Sequence, residues 1–427
     1  MTTTERSPMT LADINMSDEE MFERGESHEA FRILRKQDRF HWTPETEYVK
    51  GFWNLTKYED VLFVSRHPEL FSSERGIVAF EPLNPDEFNA AATGNGKMLI
   101  TMDPPRHVKL RRIVNKGFTP RAVNEMESHI RQITTTILDG IAKKGSADFV
   151  LDVASQIPLA VICGMMGVEE KDWPLMFQLT NKVLGPADPE YQTDVPEEQR
   201  GTPEAAQLTG NMGTMQMFGF FAQTLMARRS DRRDDLISVL CESELDGEAL
   251  TDEDILWFCF LLILAGNETT RNAMTGGLLA LCENPGEKSR LLADMSLLPS
   301  AVEEVLRYVS PVMHMARNVM QDTEINGHAV KKDERVVMWY PAINRDEDVF
   351  PDAERFDITR SPNEHLAFGI GEHFCLGAGF ARLELKVLYE ELFRRFPDIE
   401  MDGPAERLRS NFIGGIKHLP VKFTPEK

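Results

Sequence analysis

No two cysteines in this chain are spaced to share a metal ion. The five cysteines are scattered and no C-x-x-C pair occurs, which excludes a structural zinc site. An odd count without a secretion signal also argues against a disulfide framework, so reduced thiols are expected. Long hydrophobic runs are missing too. The longest, Ile255–Ala265, is too short to cross a bilayer and ends in Gly266-Asn267-Glu268-Thr269-Thr270-Arg271. The stretch from Met1 to Met16 is polar and acidic and lacks the charged-then-apolar pattern of a signal peptide. A cytoplasmic protein is therefore expected, with no membrane span. Positive charge is scarce: 47 basic against 69 acidic residues give a net charge of −22. That balance argues against general affinity for nucleic acid or anionic lipid. There are no internal repeats and no Gly/Ser linker.

What is present is mainly helical pattern. Apolar positions three and four apart predict helices over 26–38, 57–66, 105–117, 119–143, 155–167, 170–184 and 206–229. The strongest helix covers 251–282, with Thr251 and Asp254 placed as an N-terminal capping box. At about 1.5 Å per residue it would be about 48 Å long, and it is apolar nearly all round before Gly266, so it should run through the core. The motif 265–270 is expected to interrupt it. Strand signals are few and short: 48–55 and 335–340, with weaker ones near 315–320 and 412–423. The fold class is mainly α with small β-sheets at the periphery. Residues 188–205, rich in Pro, Glu, Gln and Thr, read as a mobile connection. Residues 1–17 read as a loosely ordered tail, and 18–427 as one domain.

The chemistry concentrates in Phe368-Gly369-Ile370-Gly371-Glu372-His373-Phe374-Cys375-Leu376-Gly377-Ala378. One cysteine lies in a glycine-rich loop that runs at once into a helix-forming stretch. The glycines allow turns and close backbone approach. The helix start aims N–H groups at the sulfur and favours the thiolate. A lone thiolate serves as a nucleophile, a zinc ligand or an axial ligand of haem iron. Zinc lacks partner ligands. The nucleophile lacks a placed base, because His373 lies two residues away on the opposite side of an extended loop.

This segment resembles the haem-binding signature of the cytochrome P450 family, Phe-Gly-x-Gly-x-(His/Arg)-x-Cys-x-Gly, at every defining position. The resemblance extends over most of the chain. It implies the P450 fold with the long helix crossing its core, and a haem b whose iron takes the Cys375 thiolate as axial ligand. Phe368, Gly369 and Gly377 would shape the ligand loop. Glu304 and Arg307 match the family's Glu-x-x-Arg pair, which anchors to the stretch around Asn344-Arg345-Asp346 and Phe350–Phe356 and does no chemistry. Ala265-Gly266-Asn267-Glu268-Thr269-Thr270 matches the family's central-helix motif, so Ala265 and Gly266 would face the cofactor. By the same resemblance, Glu268 and Thr269 would relay protons from solvent for oxygen activation. His107, Arg111, Arg317 and His373 match the family's contacts to the haem propionates. Ile100 would also lie against the cofactor.

The resemblance implies a monooxygenase that takes O2 and two electrons and oxidises a C–H bond of a hydrophobic substrate. With no flavin or iron–sulfur motif in the chain, the electrons must come from outside. A ferredoxin or flavodoxin with its reductase would dock on a basic patch of Arg106, Lys109, Arg112, Lys116 and Arg121. Met98, Leu99, Leu262, Val312 and Met313 would line the pocket, with Phe80 and Phe177 as weaker candidates. The stretches 265–272, 336–338, 406–410 and 414–418, with Asp188-Pro189-Glu190-Tyr191, look most like bacterial enzymes that oxidise steroid side chains and branched isoprenoid lipids. A steroid or terpenoid leads as substrate class. A fatty-acid hydroxylase or peroxygenase is the enzyme alternative, and a haem sensor without turnover is the alternative from another class. The Glu268–Thr269 pair discriminates, since neither a peroxygenase nor a haem sensor needs delivered protons.

Overall fold

A computed structural model describes residues 8–46, 49–80 and 94–427. The helices that frame the site are α1 (Arg106–Val114), α2 (Trp173–Leu184), α3 (Pro203–Ser230), α4 (Asp252–Glu283), α5 (Leu298–Val309) and α6 (Ala378–Arg395). A five-stranded sheet stands to one side, built from β1 (Phe40–Thr43), β2 (Phe52–Leu55), β3 (Phe71–Ser72), β4 (His314–Val319) and β5 (Arg335–Trp339). Its order is β1-β2-β5-β4-β3; only the β2–β5 pair is parallel. Tyr48, at the start of one expected strand, lies outside the described residues.

Helix α4 crosses the core over 32 residues. Its start is set by Thr251, whose hydroxyl accepts from the Asp254 N–H at 3.1 Å and donates to the Asp254 carboxylate at 2.7 Å. Three acidic residues in its first turn suit the positive end of the helix dipole. It ends at Asn284, where Pro285 disfavours continuation. The expected interruption at 265–270 does not occur. The Thr269 hydroxyl donates to the Ala265 carbonyl at 2.6 Å while the helix runs on unbroken. A threonine can bond back one turn without ending a helix that is packed on several sides. The stretch 119–143 does divide, at Met126, into Pro120–Glu125 and Glu127–Asp139. The Met126 N–H closes a tighter turn on the Val123 carbonyl at 3.1 Å.

Two expectations about loose segments are corrected. Residues 11–16 of the presumed tail pack on the body: Met16 is fully buried and Ile14 nearly so, beside Phe22, Phe31 and Trp339. Residues 1–7 lie outside the described residues. The connection between α2 and α3 is anchored rather than mobile. Asp188, fully buried, accepts from the Arg409 N–H at 3.1 Å and pairs with Lys417 at 3.1 Å. Glu190 pairs with Lys417 at 3.2 Å and His418 at 3.0 Å. Asp188 and Glu190 of this stretch are spent on the C-terminal segment, and Asp194 pairs with Lys182 of α2. Three motifs far apart in the chain, around 188–191, 406–410 and 414–418, thus meet at one place.

Glu304 and Arg307 sit three apart on α5 and are both fully buried. Arg307 donates twice to the Glu304 carboxylate at 2.8 Å, and also to the carbonyls of Asn344 (2.7 Å), Ala353 (2.9 Å) and Arg355 (3.1 Å). Every N–H of the guanidinium is used. Glu304 accepts in turn from the Asp357 N–H at 2.9 Å and from Arg360 and Asn363. Asn344 then carries the Leu366 N–H at 2.8 Å, two residues before the cysteine loop begins. A buried pair of this kind gives little net stability, but breaking it leaves an unpaired charge at a cost of about 3–5 kcal/mol. Glu304→Ala should therefore lower unfolding stability by that amount in denaturant titration. Replacing the exposed Arg290 by Ala should change it by less than about 0.5 kcal/mol. A small effect of Glu304→Ala would remove the pair from its anchoring role.

Candidate active site

A cavity of about 750 Å³ lies between the cysteine loop and the Ala265–Thr269 turn of α4. The loop's course follows from its glycines. Gly369 and Gly371 adopt φ of +68° and +76°, and a Cβ on Gly371 would stand 2.6 Å from the Ser65 carbonyl oxygen. The Cys375 N–H closes the loop on the Phe368 carbonyl at 2.9 Å. The sulfur lines the cavity. Burial pushes its thiol up; the N–H groups of Gly377 and Ala378, with the charges of Arg111 and Arg382, pull the other way. A metal cation at the sulfur would remove the proton outright. Phe368 is held beside the loop by the Arg382 guanidinium, 4.6 Å from its ring. Arg382 is fixed by Glu303 at 2.6 Å, which also receives His365 at 3.1 Å. Burial favours the neutral form of Glu303, yet hydrogen bonds from Arg382 and His365 bring it down to about 2.

Donors collect at one edge of the cavity. His107 is buried, and neither ring nitrogen has a hydrogen-bond partner. Burial, then the nearby Arg111, pulls it down to about 4. His373, its ring 4.3 Å from that of His107, is pulled down to about 2 by burial and then by Arg317. The Arg317 guanidinium is buried and donates to the Ala316 carbonyl at 2.8 Å. It meets no carboxylate at ion-pairing distance among the described residues. Arg111 departs in part from expectation: it lines the cavity but donates to the loop carbonyls of Glu372 (3.0 Å) and Phe374, so it also braces the cysteine loop. Two neutral imidazoles and buried guanidinium groups around an apolar space fit a flat ligand with carboxylates. With the cysteine opposite α4, the residues fit haem: Cys375 for the iron, and His107, Arg317 and His373 for the propionates, with Arg111 nearby.

Thr269, Ala265 and Gly266 line the cavity as expected. Glu268 does not. It is buried on the far side of α4 in an ion pair with Arg271. Burial raises its carboxyl and Arg271 opposes the rise.

The distal wall is apolar, and Met98, Leu99, Ile100, Leu262 and Val312 line it as expected. Met313 does not. It points into the core beside Trp339 and against Gly414. The pocket residue is Met315, on the same strand face as Arg317. Period-two alternation counted back from Arg317 reaches Met315 within β4; Met313, two residues further, has the same phase but precedes the strand. Phe80 lines the cavity, whereas Phe177 lies 5.8 Å from the Arg271 guanidinium instead. The sequence reading also missed Tyr340 and Glu384, which line the proximal side. Helical spacing could have found Glu384, which lies four residues from both Phe380 and Leu388 on the buried face of α6. The basic patch is smaller than expected. Arg106, Lys109 and Arg121 are paired with Asp254, Asp246 and Glu125. Arg112 and Lys116 form no ion pair among the described residues, and the exposed side chains of Val108 and Phe374 add apolar surface on α1 and the cysteine loop.

Comparison with known proteins agrees with this geometry. The family described as Cytochrome P450 matches residues 214–412. The methyl-branched lipid omega-hydroxylase of Mycobacterium tuberculosis is 40% identical over 406 residues, covering 92% of this chain and 90% of that one. The steroid C26-monooxygenase of the same organism is 36% identical over 417 residues, covering 97% and 98%. Among solved structures, a Mycobacterium marinum cytochrome P450 in complex with pseudoionone superposes with a TM-score of 0.86 at 33% identity, covering 99% of this chain and all of that one.

Glu384 yields a pH prediction. It is fully enclosed, one carboxyl oxygen has no partner, and burial pushes it up to about 8 from 4.5. The folded chain keeps this proton up to about pH 8, whereas the unfolded chain releases it above pH 4.5. Between these limits stability falls as pH rises, by up to about 1.4 kcal/mol per pH unit from this group. Thermal unfolding of Glu384→Gln should show a higher Tm than the parent at pH 8 and little difference near pH 5. A constant offset across this range would mean that the carboxyl is not held neutral.

Proposed function

The chain belongs to the cytochrome P450 family and is a haem-thiolate monooxygenase; from that premise we propose that it hydroxylates a branched hydrocarbon, a steroid or a terpenoid. Haem bound through Cys375 supplies oxygen activation and C–H oxidation. O2, two electrons and two protons are consumed, and one oxygen atom goes to the product and the other to water. The remaining work falls to the protein.

The observation that carries the substrate reading is the large cavity over Cys375, whose distal wall is made of Met98, Leu99, Leu262, Val312 and Met315. Such a wall binds by burial of apolar surface and orients by shape. Thr214, on the roof, spends its hydroxyl on the Gly210 carbonyl at 2.8 Å and so offers little polarity. The relatives named above act on a methyl-branched lipid and a steroid, which agrees with that chemistry. Thr269 supports turnover rather than passive binding: with Thr270 it brings a hydroxyl of α4 to the cavity lining, beside Ala265, where it could pass a proton inward. Glu268, behind it, is the reservoir.

Electrons come from a redox partner, as in bacterial members of the family. The face formed by Arg112, Lys116, Val108 and Phe374 suits an acidic ferredoxin or flavodoxin, because it joins unspent positive charge to exposed apolar surface. The reaction is placed in the cytoplasm. Among the described residues no helix is long and apolar enough to cross a membrane.

Three measurements test the reading. The reduced, CO-treated protein should show the red-shifted Soret band of thiolate ligation, and Cys375→Ser should lose it. Thr269→Ala should divert reducing equivalents from product to hydrogen peroxide, with little change in substrate affinity; unchanged coupling would take Thr269 out of proton delivery. A spectral titration with steroids, terpenoids and fatty acids should rank the first two classes above the third. A preference for linear fatty acids would overturn the substrate class.

A further inference from the structure

Helix α3 carries no charge on the side that faces solvent. No Asp, Glu, Lys or Arg occurs from Ala205 to Ala227, although 27% of the chain is charged. On the inner side this is ordinary, because Thr209, Gly213, Met217, Phe221 and Leu225 are buried. On the outer side it is not, since a surface helix normally gives that face to charged residues. Leu208, Met215 and Met226 are instead 48%, 73% and 74% exposed. The two methionines are the most exposed large apolar side chains among the described residues. At 3.6 residues per turn, Leu208, Met212, Met215, Gly219, Ala222 and Met226 form one stripe, edged by Gln216 and Gln223. Thr214, on the opposite side of the helix, lines the cavity, so the stripe is the outer surface of the cavity roof.

Gly219 sits in the middle of the stripe. A glycine inside an exposed helix destabilises it relative to alanine and needs a reason. Gly213 has one: its Cβ would stand 2.9 Å from Lys182 Cβ and 3.1 Å from Val183 Cγ2, where α2 packs closely. A Cβ on Gly219 would meet nothing within 4 Å. Nothing in the same chain accounts for it, whereas the close approach of another helix would.

The ends of α3 indicate which helix. Glu197, Glu198 and Glu204 stand at its N-terminal end and form no ion pair among the described residues. Arg229, Arg232 and Arg233 stand at its C-terminal end, and their own pairs, with Asp252, Glu242 and Glu169, lie at the surface. Two copies of α3 laid antiparallel about a two-fold axis at Gly219 bring each acidic end to the basic end of the other. A parallel pair would oppose like charges. The same axis sets Met212 of one copy against Met226 of the other, and Met215 against Gln223. The face is thus complementary to itself, as a two-fold interface requires.

We propose that the outer face of α3 binds a second copy of this chain, antiparallel, with the two helices crossing at Gly219. Two chains of net charge −22 repel each other, and an uncharged stripe is where that repulsion is weakest. Exposed methionines adapt to an apolar partner and are enriched at interfaces. The 28 residues of α3 span about 42 Å, and a face about 10 Å wide offers about 420 Å² per copy. A stable dimer needs about 800 Å² per partner, so the association is a reversible equilibrium with a Kd of about tens of micromolar.

The test is sedimentation velocity of the full-length haem-loaded protein from about 1 to 200 µM. The parent should pass from monomer to dimer over this range. Met226→Glu and Gly219→Glu place a charge where the side chain touches little or nothing, so folding and the haem spectrum should be unchanged. Each should weaken association by about tenfold or more. Glu204→Arg should weaken it less, and adding Arg233→Glu to the same chain should restore it. Crosslinking reads the orientation. An equal mixture of Met212→Cys and Met226→Cys proteins, treated with a short bismaleimide, should give a covalent dimer. Neither variant alone should exceed the background of the parent. A parent that stays monomeric at about 200 µM would overturn the inference. So would a dimer that survives Met226→Glu and Gly219→Glu, or crosslinking of each cysteine variant with itself. A monomeric parent that floats with phosphatidylcholine vesicles, and stops doing so as Met226→Glu, would assign the face to lipid and overturn it equally.

Discussion

The Glu304–Arg307 pair is the interaction on which the site depends. It lies far from the sulfur in sequence and makes no contact with the cavity. Yet Arg307 holds the carbonyls of Asn344, Ala353 and Arg355, and Glu304 holds the Asp357 N–H and the side chains of Arg360 and Asn363. The chain from 344 to 363 has little regular secondary structure to satisfy its backbone, so one ion pair performs that role. Asn344 passes the constraint to Leu366, and the loop that follows carries Cys375. A thiolate that must sit at bonding distance from a metal needs this rigidity, because a loop alone would not fix it.

Charge is arranged against the composition. An acidic protein of net charge −22 sets basic groups around its cavity and leaves several of them without carboxylates. Buried donors without acceptors are costly, which is why His107 and Arg317 make sense as partners for an anionic ligand. On the opposite side of α4, Glu268 is the reverse case, an acid kept from the cavity by an arginine. The two faces of one helix thus separate the cavity wall, where Ala265, Gly266, Thr269 and Thr270 lie, from the buried Glu268–Arg271 pair.

Much of this was legible in the sequence because the constraints were local. The glycines around Cys375 announce a strained loop, His107 and Arg111 share a helix face by spacing alone, and Glu304 and Arg307 share another. The central helix was legible from its length and apolar surface. Failures came where orientation depends on partners distant in the chain. Met313 and Met315 share a strand phase, but Met313 precedes β4 and its N–H is taken by the Phe412 carbonyl, a partner distant in the chain. The motif assigned Glu268 to a proton relay from solvent without showing its direction, which its contact with Arg271 decides. The acidic 188–205 stretch has the composition of a solvated linker, and Lys417, His418 and the Arg409 N–H, distant in the chain, show that Asp188 and Glu190 are anchored. Glu384 shares a helix face with Phe380 and Leu388, which marks it as buried, but nothing local shows the cavity beside it.

The central claim is that one sulfur in a loop held by α5 is the ligand of a metal-centred oxidation site. An anomalous-difference map at the iron edge, from crystals of the purified protein, tests it most directly. The account predicts a single iron peak in the cavity within bonding distance of Cys375 Sγ, with planar density beside it whose carboxylates reach His107 and Arg317. A peak bonded instead to His107 or His373, or no iron beside Cys375 in haem-replete protein, would contradict it.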